Sequence, residues 1–284
     1  MCLRMATIAS AFALLGAAGC MPPSWGAAAI LHPSRRLVEQ RPNRSFETLD
    51  LEGTNVRLKG WRFRGDGPKR GTVVYLHGVA DNRGSSIGIA DHFAARGFDV
   101  VAYDSRAHGE SQGEACTYGY YEKQDLARVI DRIDSAPVVL LGTSLGAAVA
   151  LQEAAGDRRI AAVIAVASFS DLRTTVSERA PFFASRGNVT NALRIAEDQG
   201  HFRVDEVSPM AAATRIAAPV LVIHGDHDTE TPHAHSLRIF AALKEPKKLI
   251  VVPNRGHHDC LTAEVWRDVD TWLDSALEPD SLPK

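Results

Sequence analysis

Cysteine is scarce in this chain: four among 284 residues, at positions 2, 20, 116 and 260. So sparse a set excludes the small disulfide-stapled folds, in which bridges replace a core. An excess of one charge is equally lacking. Lys and Arg number 32 against 34 Asp and Glu, a formal net charge of −2, with no basic cluster. That balance carries no electrostatic footprint for nucleic acid, and no such partner is expected. There are no internal repeats and no low-complexity tract. Nor does any apolar run reach the roughly 20 residues needed to span a bilayer; the stretch Ala6–Ala18 is soon interrupted by Pro22-Pro23. What remains is ordinary globular material, 45% hydrophobic and 23% charged, at a length that α/β folds often use in one domain.

The first twenty residues, "MCLRMATIASAFALLGAAGC", carry one basic residue, Arg4, then a short apolar core and small residues. That is the layout of a secretory signal. "AAGC" at 17–20 resembles the bacterial lipoprotein signal, with Ala17 where that family usually has Leu. The resemblance implies a signal over residues 1–19, a lipid-bearing Cys20 and attachment to a membrane surface of the cell envelope. The alternative is an ordinary secretory signal with an incidental cysteine, giving a secreted or periplasmic protein. Cys116 and Cys260 are then the only other pair in the mature chain, either a disulfide or two separate thiols. Pro22, Pro23, Pro33 and Pro42 mark residues 20–43 as a tether leading into a domain at 44–284.

"SFETLDLEG" and "NVRLKGWRF" alternate apolar with polar residues across Gly53-Thr54, which predicts an antiparallel strand pair. The pattern then changes. "TVVYLHG" (72–78), "DVVAYD" (99–104), "PVVLLG" (137–142), "IAAVIAVAS" (160–168), "PVLVIHG" (219–225) and "KLIVVP" (248–253) are continuous apolar runs. Segments with helical spacing separate most of them, as in "YEKQDLARVIDRI", where Leu126, Val129, Ile130 and Ile133 share one face. Others lie at 85–96, 145–155, 233–243 and 262–277. Alternating runs of these two kinds predict an α/β class with a mostly parallel sheet flanked by helices. About fifty residues between Ser168 and Pro219 break the rhythm. They include Phe182, Phe183 and a helix around 190–198, and are read as a short helical lid inserted at about 170–214.

Gly142-Thr143-Ser144-Leu145-Gly146 follows a buried strand and opens a helix, the setting in which Gly-x-Ser-x-Gly presents a nucleophilic serine. Glycines let the turn be sharp, and the helix N-terminus favours developing negative charge. A helix-capping serine would need no partners; a nucleophile needs a base and an acid to orient it. Those belong beyond the C-terminal ends of parallel strands. "LVIHGDHDTETP" offers Asp226 and Asp228 there, and "LIVVPNRGHHDC" offers His257 and His258. A metal site is the rival reading, since His224, Asp226, His227, Asp228, His233, His235, His257, His258 and Asp259 are all potential ligands. Their spacing matches no metal-binding motif, and no metal is expected.

From about residue 45 to 277 the sequence resembles the α/β-hydrolase superfamily, most closely its small serine esterases and peptidase-like members with a short lid. Chain order Ser, Asp, His is that superfamily's order. Its acid loop, Gly-x-x-Asp-x-x-x-Pro, reads here from Gly225 to Pro232 and implies Asp228 as the acid. Its Gly-His step falls on Gly256-His257 and implies His257 as the base. His258 stays open as an alternative base, and Asp171 and Asp226 as alternative acids. "YLHGVADNR" implies backbone N–H groups of Val79 and Leu145 as oxyanion donors, with His77 holding the turn. "YDSRAHGES" matches the Asp-x-Arg-Gly-x-Gly-x-Ser segment except at Ala107 and His108; Asp104 and Arg106 are expected to pair with each other or with backbone. The implied activity is hydrolysis of an acyl bond, an ester first, through an acyl-enzyme and without a cofactor. A peptidase or acyltransferase would use the same residues. A non-catalytic envelope binding or scaffolding protein would keep the fold without needing them.

Overall fold

The computed structural model describes residues 22–134 and 137–278. The signal segment and Cys20 lie outside the described residues. Strands β1 (Phe46–Glu52) and β2 (Arg57–Phe63) form the antiparallel pair. They are followed by β3 (Gly71–Leu76), β4 (Phe98–Tyr103), β5 (Val138–Thr143), β6 (Ile160–Val166), β7 (Val220–Gly225) and β8 (Lys247–Val252). The eight strands make one sheet in the order β1-β2-β4-β3-β5-β6-β7-β8. Every pair from β4 to β8 is parallel. All six apolar runs in the sequence are therefore strands of the parallel part.

Successive side chains in a strand point to opposite faces. Val74, Leu140, Val163 and Val220 accordingly pack on one face, Val73, Leu141, Ile164 and Leu221 on the other. Helices α3 (Glu122–Ile130), α4 (Leu145–Ala154), α7 (Pro209–Ala213) and α8 (Ala234–Ala242) cover the first. Helices α2 (Ile87–Ala94) and α9 (Ala263–Ala276) cover the second. This division decides the fate of the two cysteines. Cys116 is buried in the first layer and Cys260 in the second, with the sheet between them, and both are free thiols. The disulfide alternative is thereby corrected.

The expected tether is also corrected. Residues Pro23–Leu31 form helix α1, which starts on a proline and buries Ala27, Ile30 and Leu31. It docks on α6 (Arg186–Gly200) so closely that a Cβ at Gly26 would come within 2.9 Å of the Ala192 Cβ. Small residues in "PSWGAAAIL" permit that approach. The chain after α1 is strapped down as well: Arg35 donates to Ser111 O at 2.7 Å, and Arg36 O accepts from Asn82 Nδ2 at 3.0 Å.

The insertion after β6 contains α5 (Leu172–Arg179) and α6. With α1 they form a third apolar cluster around Phe169, Leu193, Phe202 and Val207. The expected span of about 170–214 is longer than this separate layer, because α7 returns to pack on α4. No helix among the described residues is long and apolar enough to cross a membrane.

Candidate active site

Ser144 sits at the turn between β5 and α4 with φ 51° and ψ −112°. A positive φ on a residue with a Cβ is costly and is held only by its surroundings. Two glycines make those surroundings possible. A Cβ at Gly142 would lie 2.3 Å from Gly146 O, and one at Gly146 would lie 2.1 Å from Leu76 O. The turn is pinned by Ser144 N–H donating to Val166 O at 2.8 Å. The motif spacing thus follows from how tightly strand, turn and helix meet.

His257, on the loop after β8, places Nε2 2.9 Å from Ser144 Oγ and Nδ1 2.6 Å from Asp228 Oδ2. Nδ1 faces a carboxylate and so carries the proton, which leaves the Nε2 lone pair toward the serine hydroxyl. Asp228 lies in the turn after β7 with its side chain fully buried. Its Oδ1 accepts from the N–H groups of Glu230 at 2.9 Å and Thr231 at 2.8 Å. Its Oδ2 also faces His224 Nε2 at 3.0 Å. Burial alone would push this carboxyl up. The bonds from His224, His257 and Thr231 outweigh burial and hold it well below the usual carboxylate range.

The competing residues are placed elsewhere. Asp226 accepts from Asn254 N–H at 2.6 Å and ties the two loops together. Asp171 caps α5, accepting from Thr174 N–H at 2.8 Å. His258 is 80% exposed and bonds Glu230 Oε1 at 3.0 Å. Val79 lies with Gly78 and Ala80 in the turn after β3 and lines the same cleft as Ser144. Leu145 is the first residue of α4, where a backbone N–H has no partner within the helix. His77 is buried behind that turn, with Nδ1 2.7 Å from Gly78 O and Nε2 accepting from Ser105 N–H at 3.0 Å. Asp104 and Arg106 do not pair with each other. Asp104 binds the Arg83 guanidinium, and Arg106 forks onto Asp125 at 2.7 and 2.8 Å. Both partners come from distant segments.

Three features were not singled out in the sequence for the roles they hold. His224, read there only as a possible ligand, contacts Asp228 Oδ2, Thr231 O at 2.7 Å and Ser236 Oγ at 2.5 Å. Nε2 faces two acceptors and therefore donates. Arg179, at the end of α5, donates to Glu230 O at 2.8 Å and Thr231 Oγ1 at 2.7 Å, clamping the acid turn from outside. A second serine–histidine–carboxylate row also exists: Ser170 Oγ is 2.9 Å from His235 Nδ1, and His235 Nε2 is 2.7 Å from Glu178 Oε2. Ser170 and His235 are both 0% exposed. His235 Nδ1 already receives Ser170 N–H at 3.0 Å and Arg238 Nη2 at 2.9 Å. No substrate reaches that hydroxyl; the row braces α8 against α5. Ser144, by contrast, opens into a cleft of about 640 Å³ lined in part by Tyr75, Ile89, Val166, Arg179 and Leu261. Among the described residues no three His, Cys, Asp or Glu side chains converge as metal ligands do.

Comparison with known proteins agrees with this architecture. The alpha/beta hydrolase fold family matches residues 71–199. The uncharacterized protein YfhR of Escherichia coli K12 is 30% identical over 252 residues, covering 84% of this chain and 82% of YfhR. The uncharacterized protein YqkD of Bacillus subtilis is 30% identical over 199 residues; that match spans 66% of this chain and 64%, just under two thirds, of YqkD. Among solved structures, the esterase Pf2001 of Pyrococcus furiosus has the same fold, with a TM-score of 0.71 and 22% identity over 86% of this chain and 98% of that one.

Proposed function

The chain belongs to the α/β-hydrolase family, and from that premise we propose that it is a serine hydrolase of acyl bonds, with a carboxylic ester as substrate. One observation carries the reading: the unbroken line from Ser144 Oγ through His257 to Asp228, at 2.9 and 2.6 Å, at the floor of an open cleft. Ser144 Oγ attacks the carbonyl carbon while His257 Nε2 takes its proton. Asp228 stays ionised, holds the imidazole tautomer and stabilises the imidazolium. The N–H groups of Val79 and Leu145 receive the oxyanion; a donor of this kind is worth about 2.7–4 kcal/mol when lost. His257 then protonates the departing alcohol, and water deprotonated by the same imidazole releases the acid and restores the serine. The esterase Pf2001 supports an ester over an amide as the first substrate class to try. The sequence of residues 1–20 supports placing the enzyme in the cell envelope, anchored through lipid on Cys20.

Ser144→Ala tests the assignment. Hydrolysis of p-nitrophenyl esters should fall by about 10³-fold or more, fluorophosphonate labelling should vanish, and the melting temperature should stay put. Undiminished turnover in the variant would overturn the nucleophile. A folded parent protein that neither labels nor turns over any ester would instead favour a binding role for the fold.

A further inference from the structure

A second concavity lies beside the Ser144 cleft. It measures about 290 Å³, and its walls come from α1, α5, α6 and the loop between the last two. Ile30, Leu172, Val176, Pro181, Phe183 and Val189 supply much of its apolar lining. Arg179 lines both this cavity and the cleft. Its Nε and Nη2 are committed to Glu230 O and Thr231 Oγ1, and its methylene stem is the apolar surface it offers to the space between. Phe182 and Phe183, 100% and 59% exposed, stand at the loop that forms one side of the cavity. A concave apolar site that shares Arg179 with the wall of the reacting cleft suits the apolar part of the molecule that reacts there.

We propose that this cavity seats the acyl chain of the substrate, so that esters of medium-chain and longer acids are preferred to acetyl esters, and that α1 is a wall of the substrate site rather than a connector. The inference rests on the serine-hydrolase reading for the chemistry, but the cavity's ligand is testable without turnover. The occupant has to be apolar and flexible. It has to join the carbonyl at Ser144, and it has to pass the stem of Arg179. An acyl chain meets all three conditions.

The test fills the cavity from opposite walls with Ala29→Trp and, separately, Val176→Trp. Ala29 is exposed on α1 and lines the cavity, so added bulk there displaces no core residue. A buried methylene is worth about fourfold in affinity, so losing the seat of two lowers the ratio of decanoate to acetate turnover by roughly tenfold or more. In parallel, dansyl-undecanoic acid is titrated into Ser144→Ala protein with and without each filling substitution. Binding that weakens tenfold in both filled variants supports the proposal, even if the parent hydrolyses no ester and the chemical reading fails. An unchanged decanoate-to-acetate ratio, or unchanged probe binding in filled and folded protein, overturns it. Probe binding that appears only when residues 1–21 are removed would make that segment the occupant and overturn it as well.

Discussion

Replacing Asp228 by Asn exchanges one carboxylate oxygen for an NH2 group, and the surroundings suit that group poorly. Oδ2 faces His257 Nδ1 and His224 Nε2, and Oδ1 faces the N–H groups of Glu230 and Thr231. With its NH2 toward the backbone the amide meets two N–H donors and forfeits two hydrogen bonds. With its NH2 toward the rings it meets His224, which must donate, and keeps His257 only if that imidazole moves its proton to Nε2; one bond is then forfeited and the base is lost. Bonds to a charged group contribute about 1.5–3 kcal/mol each, so the variant, settling in the orientation that forfeits one, should lose roughly 1.5–3 kcal/mol. At about 2–4 °C per kcal/mol for a chain of this size, that is a fall in melting temperature of roughly 3–12 °C. Turnover should fall by about 10⁴-fold, because His257 loses the acceptor that fixes its tautomer. The loss of stability has a pH signature. The parent carboxyl titrates below its unfolded value near 3.9. Its contribution is therefore whole at neutral pH and is lost as pH falls below about 4 toward the folded pKa. Calorimetry or urea unfolding of both proteins from pH 8 downward should show a gap that is constant at neutrality and narrows in acid. An Asn variant melting within about 3 °C of the parent at pH 7 would refute the four-donor account.

His257→Ala should cost about 10³-fold or more in kcat/KM, whereas His258→Ala, at an exposed position, should stay within about threefold; stopped assays on one ester rank the two, and the reverse order would move the base by one residue. Gly146→Ala drives a methyl group into the Leu76 carbonyl and should destabilise by about 3 kcal/mol or more, read as a lower denaturation midpoint or as insoluble protein. Arg179→Met removes one exposed and one part-buried bond to the acid turn, so stability should fall by about 1–2 kcal/mol. Turnover should drop about fivefold and recover in part with added guanidinium; no drop would leave the clamp without a catalytic consequence.

The parallel sheet was legible because its strands are buried on both faces and so read as unbroken apolar runs. Ser144 and Asp228 were legible because turn and loop chemistry constrains them locally: two glycines by close packing, an acid by its distance from Gly225 and Pro232. His257 was harder. Two histidines stand side by side, and only the path of the loop after β8 decides which ring faces Ser144. What escaped the sequence was long-range. α1 reads as a linker because the surface it needs, on α6, comes more than 150 residues later. Asp104 and Arg106 read as partners of each other or of backbone; both do bond backbone groups, but their charged partners, Arg83 and Asp125, arrive from other segments. His224 reads at most as a possible metal ligand, since its role depends on facing Asp228 in the interior just before the acid turn. Arg179 sits in a stretch with no pattern at all, and only the folding of the insertion brings it to Thr231.

The docking of α1 also bears on how the protein would meet its substrate. Only Met21 and Pro22 separate Cys20 from that helix. A chain reaches at most about 3.6 Å per residue, so lipid on Cys20 would moor the first turn of α1 within roughly 10 Å of the headgroups. Pro22 and Pro23 edge the apolar cavity. Under the proposed lipidation of Cys20, a mooring that short would keep the body close to the bilayer, and its search for an ester would become a search in two dimensions.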